Sequence, residues 1–148
     1  MPETANLADL CRKHGRRLTG QRRIIADVVS AAHDHPDVIE IHRRAAAIDP
    51  GIALSTVYRT LRMFADIGLI ETHTFEGGRA RVEQATGEHH DHLIDITTGK
   101  VIEFRSDAIE RLQTEIARRL GYRLTGHRLE LYAEPIPGRA SPVRRKAR

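Results

Sequence analysis

The hydrophobic period of the chain changes at Gly68, and that change restricts the fold more than any other feature of its 148 residues. Before it, STVYRTLRMFADIG (55–68) places Val57, Leu61 and Phe64 at helical spacing on one side. After it, LIETHTF and RARVEQ alternate around Gly77 and Gly78, which predicts a hairpin closed by a two-residue turn. Ser55 is the expected N-cap of the helix and Gly68 its terminator. Upstream, the helical spacing occurs twice more. Thr19 caps a stripe of Ile24, Ile25, Val28 and Val29 that HDHPD (33–37) ends, and Val38, Ile41, Ala45 and Ile48 repeat it as far as DPG (49–51). Residues 3–14 predict a short first helix ending at Gly15. Short helices followed by a hairpin, all before residue 85, predict a winged helix-turn-helix.

The outward side of the 55–68 helix then carries the chemistry. With Val57, Leu61 and Phe64 turned to the core, Tyr58, Arg59 and Arg62 face solvent. A tyrosine ring can press on a thymine methyl there while arginine reaches guanine edges or phosphates in the major groove. RKHGRRLTGQRR (12–23) adds six Arg or Lys with no acid, a cationic footprint suited to phosphate. The net charge of +4 is not spread evenly: Arg139, Arg144, Arg145, Lys146 and Arg148 lie in an acid-free end, and the rest of the chain is close to neutral.

The back half predicts strand, strand, helix, strand. HLIDI and KVIEF are alternating runs joined by TTG, Asp107 to Leu120 is amphipathic with Ile109, Leu112, Ile116 and Leu120 on one side, and YRLTGHRLELYA returns as a strand. So few residues cannot cover their own apolar face, which points to a homodimer, and two copies would read two half-sites of DNA. The fold class is therefore α+β: a winged-helix DNA-binding domain over 1–84, a small α/β dimerisation domain over 85–137, and a disordered basic tail over 138–148. No apolar run is long enough to span a bilayer and no leader pattern is visible, so a cytoplasmic location is expected. Cys11, the one cysteine, can form neither an internal disulfide nor a thiolate zinc cage and is expected to be half-buried packing.

GEHHDHLIDITTGKVIEF (87–104) gathers His89, His90, Asp91 and His92 in succession, a composition that favours metal. If these residues run into a strand, His89 and Asp91 share one side and His90 and His92 the other, so the cluster seeds two sites. Partners must come from elsewhere, and the candidates are His35, Glu83, Glu103, Glu110 and His127. Single histidines such as His14, His33, His42 and His73 are expected to be ordinary surface or core residues. Imidazole and carboxylate without thiolate suit Fe(II) or Mn(II) with five or six ligands, although zinc, cobalt or nickel would bind more tightly in vitro.

LTGQR, STVYRTLRMF, FEGGRARVE, HHDHLI, GKVIEF, AIERLQTEIARRLGYRL and GHRLELY, in that order from Leu18 to Leu131, resemble the ferric uptake regulator family of metal-dependent bacterial repressors. The resemblance implies a winged-helix domain hinged to a dimerisation domain and a repressor that, with Fe(II) or Mn(II) bound, holds palindromic operator DNA near metal uptake genes. It places the regulatory metal site on His35, Glu83, His90 and His92 with Glu103 as a fifth ligand, and His33 as the competitor of His35. The second site falls on His89, Asp91, Glu110 and His127, and DNA contacts on Arg17, Ser55, Thr56, Tyr58 and Arg59. Many members carry C-x-x-C after the HDHLI segment and a second cysteine pair near the C-terminus, which together cage a structural zinc. Here the first pair is replaced by Asp95 and Thr98, so no structural zinc held by four cysteines is expected, and the resemblance leans to cysteine-poor iron or manganese regulators of proteobacteria. A haem-linked branch fits less well, since Cys11 is not followed by proline. A metallohydrolase would want an open ligand position and a motif such as H-E-x-x-H, which is absent, and a metal-storage protein would bind metal without responding to DNA. No enzymatic activity is expected.

Overall fold

The computed structural model describes residues 5–76 and 78–139, and the chain divides into two compact units, the first ending at Glu88 and the second starting at His89. In the first unit, helices α1 (Leu7–Lys13), α2 (Gly20–Ala31), α3 (Val38–Ile48) and α4 (Leu54–Asp66) are followed by the antiparallel hairpin β1 (Ile70–Thr74) and β2 (Ala80–Gln84). This is the predicted winged helix-turn-helix. Asn6 caps α1 through Ala8 N–H at 2.8 Å, and Asp37 caps α3 through Glu40 N–H at 2.8 Å. Thr19 caps α2 more loosely, at 3.4 Å from Arg22 N–H. The α4 cap differs from expectation. Ala53 is the N-cap and Ser55 lies inside the first turn, because the Ala53 carbonyl already accepts the Thr56 and Val57 N–H groups at 3.0 and 3.3 Å. The end of α4 is as expected: Gly68 takes φ 76°, which lets Leu69 N–H reach Phe64 O at 2.9 Å and Gly68 N–H reach Ala65 O at 3.0 Å.

The core of this unit is aliphatic around one aromatic ring. Leu7, Ile25, Ile41, Val57 and Phe64 are fully buried and meet in one cluster. Cys11 is also fully buried rather than half-buried, and burial pushes its thiol above the usual pKa. Ile48 leaves the predicted α3 stripe and is exposed at the helix end. The wing loop is longer than a two-residue turn: the ladder stops at the Thr74–Ala80 pair, and Phe75 is drawn into burial while Gly78 N–H bonds its carbonyl at 3.1 Å. The predicted helix 3–14 begins only after the Asn6 cap, and its residues 3 and 4 lie outside the described residues.

The loop before α3 is braced by charge. Arg44 donates to Asp34 Oδ1 at 2.9 Å and makes a second, shorter contact with Oδ2, while its Nε donates to Glu40 Oε1 at 2.9 Å. Arg43 adds a bidentate pair with Glu40 at 2.9 and 2.7 Å. Arg43 first and Arg44 second hold the Glu40 carboxyl down to about 2, and Arg44 lowers Asp34. A carboxylate depressed in the folded state stabilises above its unfolded pKa and loses that contribution as pH falls through the folded one. Metal-free protein should therefore lose thermal stability between about pH 4.5 and 2. Arg44→Gln should flatten that part of the curve, as followed by circular dichroism; an unchanged acid slope would show that this network does not brace the loop.

The second unit is a three-stranded sheet in the order β4-β3-β5, made of β3 (Asp91–Asp95), β4 (Val101–Phe104) and β5 (Glu130–Ala133), with α5 (Asp107–Arg119) between β4 and β5. β3 pairs antiparallel with β4 and parallel with β5. The predicted strand over 122–133 is shorter than expected: β3 pairs with it only from His92 to Asp95, and before Glu130 the chain adds just the Leu129 carbonyl, which accepts His92 N–H at 3.2 Å. Ser106 caps α5, and Asp107 and Glu110 at its start with Arg118 and Arg119 at its end match the helix dipole. No residue of α5 is buried within the chain, and Leu112, Ile116 and Leu120 are 56, 47 and 70% exposed. The expected tail falls mainly on residues 140–148, which lie outside the described residues. Among the described residues no helix is long and apolar enough to cross a membrane.

Candidate metal centres and nucleic-acid interface

Strand alternation sorts the histidine cluster as the sequence predicts. His89, just before β3, and Asp91, its first residue, meet Glu110 from the first turn of α5 and His127 from the extended approach to β5. Asp91 Oδ1 lies 3.2 Å from His89 Nε2 and 3.0 Å from His127 Nε2, and the two imidazole nitrogens are 3.0 Å apart. Glu110 Oε1 completes the group at 3.5 Å from His89 Nε2 and 3.8 Å from His127 Nε2. Ligand atoms that share an ion about 2.0–2.2 Å away sit roughly 3 to 3.5 Å from one another, so these spacings suit a common cation. Hydrogen bonding alone serves the group poorly: Asp91 is 1% exposed, and its Oδ2 has no hydrogen-bond partner. The residues fit a metal ion.

The opposite side of β3 presents a second donor set within the same unit. The His90 and His92 rings stand edge to face with centroids 5.0 Å apart, and His90 Nε2 is 3.5 Å from Glu103 Oε1. Glu103 arrives there because it is the cross-strand partner of His92 in β4. In the first unit, His35 Nε2 lies 2.7 Å from Glu83 Oε2, with both side chains buried. His33 is exposed, and it is His35 that turns inward. That turn needs a left-handed backbone, φ 51°, which a non-glycine residue adopts only when its surroundings hold it. They do so from both sides. Arg81 Nε donates to the His35 carbonyl, the Pro36 carbonyl accepts Val82 N–H at 2.9 Å, and the Asp34–Arg44 pair anchors the preceding residue.

The other histidines divide. His14 bonds the Leu10 carbonyl and His42 the Ile52 carbonyl, each at 2.9 Å, as expected of structural histidines. His73 is not the isolated residue expected of it: it meets Glu83 Oε1 at 2.6 Å, with Glu71 Oε2 at 3.6 Å. At the positions of the missing C-x-x-C, Asp95 Oδ1 accepts Thr97 N–H at 2.8 Å and the Thr97 hydroxyl at 2.6 Å, which lowers its pKa, and Thr98 Oγ1 accepts Lys100 N–H at 3.2 Å. Gly99 at φ 74° closes this turn, which side-chain hydrogen bonds hold.

On α4 the predicted division of faces is present. Val57, Leu61 and Phe64 are buried, Tyr58 is 54% exposed, and Ser55, Arg59 and Arg62 face solvent with Thr56 half-covered. Thr60, which the hydrophobic pattern does not flag, is fully buried, and its hydroxyl is satisfied by donating to the Thr56 carbonyl at 2.7 Å. Arg12, Arg16, Arg17 and Arg23 line a cleft of about 390 Å³ beside α1 and α2.

A winged helix-turn-helix with a cationic face, joined in one chain to imidazole–carboxylate clusters that fit a metal ion, defines a metal-responsive DNA-binding regulator. The family model described as "Ferric uptake regulator family" matches residues 13–132, and the chain belongs to that family. The "Ferric uptake regulation protein" of Rhizobium leguminosarum bv. viciae is 54% identical over 130 residues, 88% of this chain and 92% of the relative. A solved "zinc-bound manganese uptake regulator" is 52% identical with a TM-score of 0.80, covering 89% of this chain and 100% of its own. The Vibrio cholerae ferric uptake regulator superposes with a TM-score of 0.76 at 36% identity, over 87% of this chain and 99% of that one. The protein is accordingly a metal-dependent transcriptional regulator and not an enzyme.

Proposed function

We propose that the chain is a cytoplasmic repressor that senses Fe(II) or Mn(II) and, when metallated, binds palindromic operator DNA as a homodimer to control metal uptake genes. The observation that carries this reading is the exposed Tyr58–Arg59 pair on a helix whose other face is wholly core, in a chain that also holds thiolate-free metal donors. The relatives, a ferric uptake regulation protein and a manganese uptake regulator, are named for the two metals that such donors suit. Zinc would occupy the same donors in vitro, and a chain with one cysteine cannot build a structural zinc site from four thiolates. The homodimer is supported by the apolar stripe Leu112, Ile116 and Leu120, too large to leave in water on one amphipathic helix.

In this reading residues 1–84 form the DNA-binding domain and 85–137 the dimerisation domain. His35 and Glu83 of the first and His90, His92 and Glu103 of the second share one regulatory ion. Two of these five side chains lie in the first half and three in the second, and Fe(II) or Mn(II) takes five or six ligands, which supports a shared site. His89, Asp91, Glu110 and His127 hold a second ion within the dimerisation domain. An ion bound at the shared site would supply coordination bonds to side chains of both domains, and those ligands would favour one relation of the domains, and so of the two reading helices in a dimer. Arg59 and Tyr58 then read bases, Ser55 and Thr56 lie at the helix start beside the backbone, and Arg17 meets phosphate or the minor groove.

Tyr58→Ala and Arg59→Ala should each weaken operator binding tenfold or more, since a base-directed contact is worth about 1 to 3 kcal/mol, while dimer and metal uptake stay intact. Arg17→Ala should instead lower affinity broadly and flatten its salt dependence. Fluorescence anisotropy on AT-rich palindromic DNA with Mn(II), against the same titration with chelator, measures all three. Metal uptake that leaves DNA affinity unchanged would mark a storage protein instead.

A further inference from the structure

We propose that His73 is a positioning residue for the regulatory metal site: it holds Glu83 Oε1 so that Oε2 is presented as the ligand oxygen beside His35. The inference rests on the regulatory-site reading above and adds a residue to it. The two oxygens of a free carboxylate are equivalent, and rotation about the terminal bond exchanges them. In Glu83 they are made different. Oε2 faces His35 Nε2 at 2.7 Å and Oε1 faces His73 Nε2 at 2.6 Å, with only 8% of the side chain exposed. A hydrogen bond from His73 Nε2–H to Oε1 blocks the rotation and leaves Oε2 for the ion.

His73 is itself held from three directions. Glu71 and His73 lie at spacing two on β1, so they share a face, and Phe75 follows just past the strand's end. The His73 ring lies nearly parallel to the buried Phe75 ring, centroids 6.0 Å apart and planes inclined by 12°. Glu71 Oε2 is 3.6 Å from the same Nε2 that bonds Glu83. In register, Glu71 sits directly across from Glu83, an unfavourable like-charge pair unless a donor stands between them. His73 is that donor. A ligating carboxylate is commonly fixed by such an outer partner, and loss of one typically costs about ten- to a hundredfold in metal affinity.

Co(II) titration followed by visible absorption tests this, in chains also carrying His89→Ala to silence the four-residue cluster. His73→Ala should lower Co(II) affinity about ten- to a hundredfold and alter the d–d bands, while His73→Gln, whose amide can donate to Oε1, should recover most of both. The thermal midpoint of each metal-free variant checks folding; should His73→Ala not fold, His73→Asn, too short to reach Oε1, takes its place. An unchanged affinity and spectrum in His73→Ala, or a His73→Gln chain no better than the alanine variant, overturns the proposal. So does loss of one whole Co(II) equivalent in both His73→Ala and Glu71→Gln, which would mean that Glu71, His73 and Glu83 hold a separate ion. His90→Ala with His92→Ala is the control: if Co(II) binding survives it unchanged, the regulatory-site reading has failed rather than the role of His73.

Discussion

The His90→Ala, His92→Ala double variant is expected to bind operator no better with Mn(II) than with chelator. Both imidazoles would leave the proposed regulatory set, His92 from a buried position and His90 from beside Glu103, and the remaining donors should hold an ion too weakly at working concentrations. The His89→Ala, Asp91→Ala variant should behave differently. Its four proposed ligands all belong to the second unit, so an ion held by them would have no ligand from the DNA-binding unit. It should lose thermal stability or dimer affinity while retaining most of the metal response. Operator affinity as a function of Mn(II), measured for both variants, separates the two roles, and the opposite pattern would show that the sites are reversed. Linkage adds a quantitative check: operator DNA must tighten metal binding by the same factor by which metal tightens DNA binding.

Phe64→Ala should cost roughly 3–5 kcal/mol, a large share of the 5–15 kcal/mol typical of a domain. Phe64 is one of three phenylalanines, is fully buried, and is the largest side chain in a cluster otherwise built from aliphatic residues and Cys11. Those neighbours come from different helices and cannot all collapse into the space left behind. The loss is read as a shift of the urea midpoint at unchanged slope. Ile48→Ala, on the same unit but at an exposed helix end, should stay within about 0.5 kcal/mol. A Phe64 variant as mild as the Ile48 variant would place the core elsewhere. Because Phe64 and Arg59 occupy opposite sides of α4, the core variant should lose DNA binding only in proportion to the unfolded fraction.

What the sequence alone determines here is periodic. The 3.6-residue spacing of Val57, Leu61 and Phe64 suffices to turn Tyr58 and Arg59 outward, and the two-residue spacing of β3 suffices to separate His89 and Asp91 from His90 and His92. Period is a property of neighbouring residues, so it survives without knowledge of the rest of the chain. Only the tertiary structure decides which distant partners arrive. His35 rather than His33 faces Glu83, across 48 positions, because a left-handed backbone at His35 is held by Arg81 from the wing and by the Arg44–Asp34 pair behind it. His73 reads as a lone histidine in sequence and becomes part of a network only when β1 and β2 are brought into register. Likewise Ser55 looks like a cap until the Ala53 carbonyl takes up the first turn, and the strand after α5 keeps only the four residues for which β3 has partners. The helix cap is settled within one turn, but for His35, His73 and the last strand the deciding energy lies in a hydrogen bond or ladder pair between segments that no local period connects.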